Sequence, residues 1–319
     1  MSCRWVVPFL LALACGSCPA FARNIVISND DGLTANVKAL YDALKAKGHD
    51  VIVAVPCPQQ SGMGGAIKVF EPLPPLSADC VGKAGRVGDP GAGPMTREGF
   101  ARDFYYVDGT PVMALLYGID IAAQARWGKP PELVLSGPNV GQNPGAIVVS
   151  SGTVSVAQYA MMRGIPAIAL SAGENTASGD DLLNPLSAIV AKRSLELVDR
   201  LEAASHGGPL LPPRSGLNVN FPDEPAAARW KLTRIGTYSK YELFFVPDLP
   251  TAMGEEKSDQ PARPGLFGRL SDQPPAAGEM DDESVVAIKD ISVSLMQVGY
   301  EAPAQQQDAL AHLLCGLAN

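Results

Sequence analysis

The sequence has few of the residues on which common hydrolytic nucleophiles depend. Its 319 residues include only three histidines, and none of them lies in a recognisable catalytic motif. No G-x-S-x-G, H-E-x-x-H or G-x-x-x-x-G-K-[ST] pattern occurs. The chain therefore lacks the signatures of serine hydrolases with a nucleophile elbow, of zinc proteases and of P-loop proteins.

Cysteine is also scarce, and its placement limits the possible disulfides. Three of the six cysteines lie in the first 22 residues, which leaves Cys57, Cys80 and Cys315. Three thiols cannot all pair within one chain, and no two of these have zinc-site spacing. Cys57 follows an expected strand and Cys80 lies near a Gly-rich stretch, which favours this pair, with three unpaired thiols as the equal alternative.

Positive charge is in deficit. The chain carries a formal net charge of -8, with 18% charged and 46% hydrophobic residues. This composition is typical of a globular protein with a sizeable core. The acidic balance argues against a nucleic-acid polymer or an anionic membrane as a partner.

The first 22 residues have the pattern of a secretory signal. Arg4 precedes the apolar run Trp5–Ala14, and Ala20-Phe21-Ala22 forms a cleavage site. The apolar run is too short to span a bilayer, so no transmembrane segment is expected in the mature chain. We predict a periplasmic or secreted protein cleaved after Ala22. The alternatives are a buried N-terminal helix and lipoprotein anchoring at Cys15, which matches less well.

Alternating buried strands and helices predict an α/β fold with a mostly parallel sheet. NIVIS (24–28) and VIVAV (51–55) are short apolar runs, and Thr34–Lys47 between them has a helical apolar stripe. Strand, helix and strand in about thirty residues form a βαβ unit. The pattern returns as a strand at 132–136, a helix at 153–163 and a strand at 166–171.

Polar side chains follow several of these strands. Asp30 and Asp31 come just after the first strand, Ser61 follows the second, and Asn139 follows a later one. The carboxyl ends of parallel strands meet at one edge of a sheet, where sites gather. Carboxylate, amide and hydroxyl oxygens suit a hard divalent cation. The alternative for the D-D-G sequence is a solvated turn.

Two further segments favour a phosphate ligand at the same edge. SGPNVGQN (136–143) is Gly-rich, and SSGTVSVAQYA (150–160) places hydroxyls where a helix begins. Helix N-termini bind phosphate through free N–H groups. N-capping and turn formation are the alternatives for these residues.

The order of the motifs resembles the SurE family, the survival protein E group of metal-dependent phosphatases. The resemblance covers nearly all of the chain after residue 22, and the combination is far more specific than any single motif. The motifs are NDDG (29–32), the serine in QQSGMGGA (59–66), DGTP (108–111), SGPNVGQN (136–143), SSGTVSVA (150–157), RGIPAIALS (163–171), LNVNFP (217–222) and ISVSLMQ (291–297).

The resemblance implies an activity and an architecture. It implies a 5′-nucleotidase or acid phosphatase with one divalent ion, Mg²⁺ or Mn²⁺, in each subunit. In this scheme the cation activates a water that attacks phosphorus. It also implies a Rossmann-like core with helices on both faces and a C-terminal β-rich arm exchanged in a homodimer or homotetramer.

The resemblance also assigns residues, motif by motif. The implied metal ligands are Asp30, Asp31, Ser61 and Asn139, of which Asp30, Asp31 and Asn139 are also catalytic. The implied phosphate contacts are Asn143, Ser151, Gly152 and Thr153, with Asn29 orienting the carboxylates or touching substrate.

The chain departs from the family pattern at two places near this site. Val112-Met113-Ala114 stands where the family usually has a small residue, Asp and Cys, and Ala157-Gln158-Tyr159-Ala160 stands where it has Ala-Arg-Glu-Gly. Neither departure removes an implied ligand. Met113 and Tyr159 replace acidic residues, from which we predict a broad range of phosphomonoesters. The signal segment departs from the family's usual cytoplasmic setting.

We predict three regions: a signal peptide (1–22), the phosphatase core (23–236), and a C-terminal arm with a closing strand and helix (237–319). By composition, residues 247–283 are a long loop. By resemblance they belong to an inter-subunit arm. A strand is expected over 284–298 and a helix over Gln305–Leu317.

Three functions compete at this point. The first is an exported, metal-dependent phosphomonoesterase. The second is a catalytically weakened nucleotide- or phosphate-binding relic of the same fold, which the two departures would suit. The third is a different α/β hydrolase, for which the chain has no nucleophile motif.

Overall fold

The computed structural model describes residues 22–255 and 261–299. The predicted signal peptide, Cys15, Cys315 and the predicted helix Gln305–Leu317 lie outside the described residues, except for Ala22 at the end of the signal. Within the described ranges, no helix is both long and apolar enough to cross a membrane.

A nine-stranded sheet forms the centre of the described chain, with the strand order β3-β4-β2-β1-β5-β6-β7-β11-β8. Its strands are β1 Asn24–Ser28, β2 Asp50–Pro56, β3 Ala92–Pro94, β4 Phe104–Val107, β5 Leu133–Val140, β6 Ala167–Ala172, β7 Ser215–Asn220, β8 Trp230–Thr233 and β11 Ile291–Gln297. A separate antiparallel pair is formed by β9 Tyr241–Val246 and β10 Gly265–Leu270.

The helices are α1 Ala35–Ala46, α2 Pro111–Tyr117, α3 Gln124–Trp127, α4 Gly152–Met162, α5 Pro185–Ser205, α6 Leu249–Ala252 and α7 Glu283–Val286. A π-helical turn, Gly118–Ala123, joins α2 to α3, and a 3₁₀ turn, Gly145–Val149, precedes α4.

Most of the sheet is parallel, as the βαβ pattern predicts. Strand β1 pairs in parallel with β2 on one side and β5 on the other, so its end lies in the middle of the sheet. Helices α1 and α5 pack with one core cluster, and α2 and α4 pack with the other, on opposite faces of the sheet. The predicted α/β fold with helices on both faces is confirmed.

Helix α1 shows how local sequence produces this packing. Thr34 caps it by accepting a hydrogen bond from Val37 N at 3.4 Å. Val37, Leu40 and Leu44 lie on one face and are fully buried. Burying each leucine contributes about 1.5–3 kcal/mol, which fixes the helix on the sheet.

Strand β5 runs further than predicted. The apolar run suggests an end at Ser136, yet the strand continues to Val140. A register shift against β6 between Ser136 and Asn139 lets the chain pass through Gly137 and Pro138 without leaving the sheet. As a result Asn139 stands on the strand itself, paired with Ser171.

The C-terminal expectations needed correction. The expected strand over 284–298 is confirmed only in its second half, as β11. Its first residues belong to the short helix α7, where Glu283 and Ser284 are buried. The expected loop over 247–283 contains α6 and β10. Strand β10 pairs with β9, a long-range contact that local composition cannot indicate. Strand β11 returns to the main sheet, antiparallel to β7 and parallel to β8.

The favoured disulfide is present between Cys57 and Cys80. Val81 N donates to Cys57 O at 2.9 Å beside the disulfide, and the Val81 side chain packs against Gly32 of the NDDG turn.

Candidate functional site

The NDDG turn follows β1 and is shaped by Asn29. Its amide donates to Gly32 O at 2.8 Å, and its Oδ1 accepts from Gly32 N at 3.2 Å. Gly32 has a φ of +83°, and a Cβ there would lie 2.9 Å from Val81 Cβ. Asn29 is fully buried, and its two bonds to Gly32 fix the backbone of the turn that carries the carboxylates. Its contact with a substrate stays a prediction.

The carboxylate of Asp30 lies at the N-terminus of α4. Its Oδ1 accepts from Thr153 Oγ1 at 2.7 Å, and it also accepts from the backbone N–H groups of Gly152 and Thr153. A helix N-terminus favours negative charge. Burial is nevertheless the largest influence and raises the pKa of Asp30 above its ordinary value.

Gly152 allows this approach. A Cβ at residue 152 would lie 2.7 Å from Asp30 Cβ and 2.9 Å from Asp30 Oδ2 and from Pro111 Cγ. The helix can therefore reach the carboxylate only with glycine at its first position.

The second carboxylate, Asp31, is held from the neighbouring strand. Val140 N donates to Asp31 Oδ2 at 2.8 Å, and the side chain of Gln59 also hydrogen-bonds to this carboxylate. Burial first, and then the charge of Asp30, raise the pKa of Asp31 to about 7. Two buried carboxylates side by side are a costly arrangement in the absence of a counter-charge.

Asn139 presents an oxygen at the same edge of the sheet. Its amide nitrogen donates to Gly141 O at 2.8 Å and to Val140 O at 3.3 Å. Its Oδ1 is buried and has no hydrogen-bond partner among the described residues. Buried amide oxygens usually have a partner, so this atom is an acceptor suited to a ligand.

Ser61 is near the pair but does not touch it. It is exposed, and its backbone N–H and hydroxyl both bond to the side chain of Gln59. The segment is tied to the turn by Gln60 N, which donates to Asp30 O at 2.8 Å. Gln59, which contacts Asp31, was missed by the sequence analysis although it lies in the QQSG motif.

The expected phosphate contacts are partly engaged within the chain. Ser151 caps α4, with Val154 N donating to its Oγ at 3.1 Å, as the N-capping alternative predicts. The first N–H groups of the helix bond to Asp30. Asn143 is buried, and its amide donates to Ser171 Oγ at 2.9 Å. Their contact with a substrate phosphate stays a prediction.

A buried glutamate supports this edge and was also missed. Glu283 Oε1 accepts from Gly145 N at 2.8 Å and from Asn218 Nδ2 at 2.9 Å. Burial raises the pKa of Glu283 to about 7. Asn218 belongs to the LNVNFP motif. Glu283 stands in a charged segment, where no sequence motif indicated a role in the site.

The Glu283 carboxyl predicts a pH-dependent stability. Its folded pKa is raised above that of the unfolded chain, so its contribution is complete below about pH 4.5 and is lost as the pH rises through about 7. Relative to Glu283→Gln, the wild-type free energy of unfolding should fall by up to about 3 kcal/mol over this window. Denaturant unfolding of both proteins at several pH values measures this. Other titrating groups affect both proteins alike, so their effects cancel when the two free energies of unfolding are subtracted. If this difference does not change with pH, the prediction is wrong.

The comparison with known proteins decides the family. The family model described as Survival protein SurE matches residues 25–242, which include both carboxylates, Asn139 and α4. The chain belongs to the SurE family. A "5'-nucleotidase SurE" from Thermosipho melanesiensis is 33% identical over 224 residues, covering 70% of this chain and 74% of that protein. Another "5'-nucleotidase SurE", from Carboxydothermus hydrogenoformans, is 35% identical, covering 69% and 73%.

A relative with a different description matches over a smaller part of its length. An "Acid phosphatase" from Yarrowia lipolytica is 36% identical over 206 residues, which is 62% of this SurE chain and 56% of that protein. The crystal structure of the SurE protein from Aquifex aeolicus superposes with a TM-score of 0.64 at 24% identity. It covers 91% of this chain and 99% of its own, and it supports the fold.

Proposed function

We propose that this SurE protein is a divalent-cation-dependent phosphomonoesterase that hydrolyses nucleoside monophosphates. Two observations support the proposal. Asp30 and Asp31 are buried side by side, and Asn139, whose oxygen is unpartnered among the described residues, directly precedes Val140, which bonds to Asp31. The names of the relatives support the substrate class, since they are described as 5'-nucleotidases and an acid phosphatase.

The side chains at this edge fit a hard cation such as Mg²⁺ or Mn²⁺. Among the described residues, no group of three or more His, Cys, Asp and Glu is placed to hold a metal. Two carboxylates completed by an amide oxygen are instead the oxygen donors that these ions prefer. Asp30, Asp31 and Asn139 would hold the ion, and Ser61 would reach it after turning away from Gln59.

When bound, the cation would polarise a phosphoryl oxygen and lower the pKa of a bound water. The chain's own groups supply orientation. Thr153 and Val140 each fix one carboxylate, so both acids are held before substrate arrives. The phosphate would lie beside Asn143 and the start of α4, where it would have to share the helix N–H groups that now bond to Asp30.

The test is phosphate release from a panel of nucleotides and aryl phosphates. Purified protein should be active with Mg²⁺ or Mn²⁺ and inactive after chelation, with recovery on adding metal back. Binding of phosphate without turnover would support the weakened relic instead. Full activity in excess chelator would contradict the proposal. A strong preference for one nucleotide would contradict the broad range predicted from Met113 and Tyr159.

We also propose that the protein assembles through the β9–β10 hairpin. The hairpin stands outside the main sheet and exposes large apolar side chains, of which Phe245 is 75% exposed. The others on the two strands are Leu243, Phe244, Leu266 and Leu270. By strand register Leu243, Phe245, Leu266 and Leu270 share one face of the hairpin, and an exposed apolar face of this kind marks an interface.

Light scattering should therefore give a dimer or tetramer at micromolar concentration. Phe245→Ser should shift the protein towards the monomer, because it removes apolar area from the proposed interface. Leu232→Ser is the matched control, since Leu232 is also exposed but lies on β8. A wild-type monomer, or equal effects of the two changes, would refute the assembly.

We further propose that the protein is exported. N-terminal sequencing of the native protein should find Arg23 as the first residue, in the periplasm or outside the cell. Arg23 is already buried in the fold and pairs with Glu202 at 3.2 Å. Recovery of cytoplasmic protein that retains Met1 would refute export.

A further inference from the structure

The turn at residues 143–145, called the Asn143 turn below, is held by residues far along the chain. Asn143 N donates to Asn220 Oδ1 at 2.7 Å, and Asn143 O accepts from Asn218 Nδ2 at 3.0 Å. Gly145 N donates to Glu283 Oε1 at 2.8 Å. Every side chain that holds the backbone of the turn is fully buried, so solvent cannot replace these bonds.

Glu283 is the point at which the turn and the sheet are joined. The same Oε1 accepts from Gly145 N and from Asn218 Nδ2, which links the turn to β7 through one atom. The Ser294 hydroxyl of β11 also hydrogen-bonds to this carboxyl group, so Glu283 contacts a second strand of the sheet. A carboxylate with no exposed surface is costly to bury, so packing alone does not explain its presence.

The turn also packs closely against the residue that follows Glu283. Gly145 has a φ of +61°, and a Cβ there would lie 2.5 Å from Ser284 Oγ and 2.6 Å from Tyr238 O. The start of α7 and the base of the hairpin therefore leave no room for the turn to shift in their direction.

The Asn143 turn leads directly to the carboxylate pair. The 3₁₀ turn Gly145–Val149 follows it, and Ser151 N donates to Ile147 O at 3.1 Å. Ser151 caps α4, whose Thr153 donates to Asp30. A displacement at Gly145 would thus be carried through a short hydrogen-bonded segment to the site.

We propose that Glu283 is a positioning residue that sets the Asn143 turn, and through it the phosphate-binding side of the active site. The inference rests on the proposed function. The preceding Asp282 accepts from Thr237 N and Tyr238 N, each at 3.0 Å, at the base of the hairpin. Consecutive buried carboxylates at the N-cap and first position of α7 therefore anchor the hairpin and the turn.

The test compares Glu283→Leu with Glu283→Gln in the full-length protein loaded with Mn²⁺. Leucine removes the acceptor, so KM for p-nitrophenyl phosphate and the dissociation constant of inorganic phosphate should both rise about tenfold or more. Glutamine keeps an oxygen for Gly145 N and Asn218, so both constants should stay within about threefold of wild type. Equal constants in wild type and Glu283→Leu would overturn the inference.

A second variant covers the case in which Glu283→Leu does not fold. Gly145→Ala leaves Glu283 in place but pushes the turn away from Ser284, so it should raise the same two constants. Asp290→Asn is the control, because Asp290 pairs with Arg229 and does not touch the turn. Unchanged phosphate binding in Gly145→Ala would also overturn the inference.

Phosphate affinity is measured by calorimetry, independently of turnover. If no variant and no wild-type protein released phosphate from any ester, the proposed function would fail. The ordering of phosphate affinities would still decide whether Glu283 positions the turn.

Discussion

Asp31→Asn should lower kcat/KM about a thousandfold or more, equal to at least about 4 kcal/mol of transition-state stabilisation. Asparagine keeps the shape and the acceptor for Val140 N, which donates to Asp31 at 2.8 Å. It removes one of the two charges that hold the cation. Phosphate release from a nucleoside monophosphate at saturating Mn²⁺ measures the effect.

The same variant should be no less stable than wild type when both are free of metal. Asp31 is buried beside Asp30, and the two like charges repel each other. Removing one relieves that repulsion, so the metal-free melting temperature should stay level or rise. Asp120→Asn, at an exposed carboxylate paired with Arg163, is the control and should keep full activity. If the Asp31→Asn protein kept full activity, Asp31 would be a structural residue of the turn and not a metal ligand.

Gly152→Ala should lower kcat/KM at least about a hundredfold, since misplacing a catalytic group by about 1 Å has effects of this size. Alanine is the better helix former, yet its Cβ would lie 2.7 Å from Asp30 Cβ. Asp30 must move away from α4 and loses its bonds to the helix. Kinetics and Mn²⁺ affinity should both report the displacement.

Gly93→Ala is the matched control for this change. Gly93 lies in β3, has no positive φ, and a Cβ there meets nothing within 4 Å. It should behave as wild type. If Gly152→Ala also keeps wild-type kinetics and metal affinity, Asp30 does not depend on the close approach of α4.

The sequence predicts the sheet and the carboxylate pair because both follow from local patterns. NIVIS and VIVAV are apolar runs short enough to be strands, and the helix between them has one apolar face. Parallel strands then bring their carboxyl ends to one edge, which places Asp30, Asp31 and Asn139 together without any knowledge of long-range contacts.

The supporting residues could not be predicted in this way. Gln59 and Glu283 act through tertiary contacts, with Asp31 and with Gly145, that no spacing in the chain encodes. Strand β10 was not predicted for the same reason. Its pairing with β9 supplies the stabilisation that its own composition does not indicate. Strand order predicts that Ser61 lies at this edge of the sheet, but its rotamer and its hydrogen-bond partner depend on Gln59.

The most direct measurement is a calorimetric titration of Mn²⁺ into chelator-treated protein, done for wild type and for Asp31→Asn. We expect one ion bound per chain in wild type, a sharply lower affinity in the variant, and phosphatase activity that rises with the fraction of protein that holds the ion. Absence of Mn²⁺ and Mg²⁺ binding in wild type, or equal affinity in the two proteins, would contradict it.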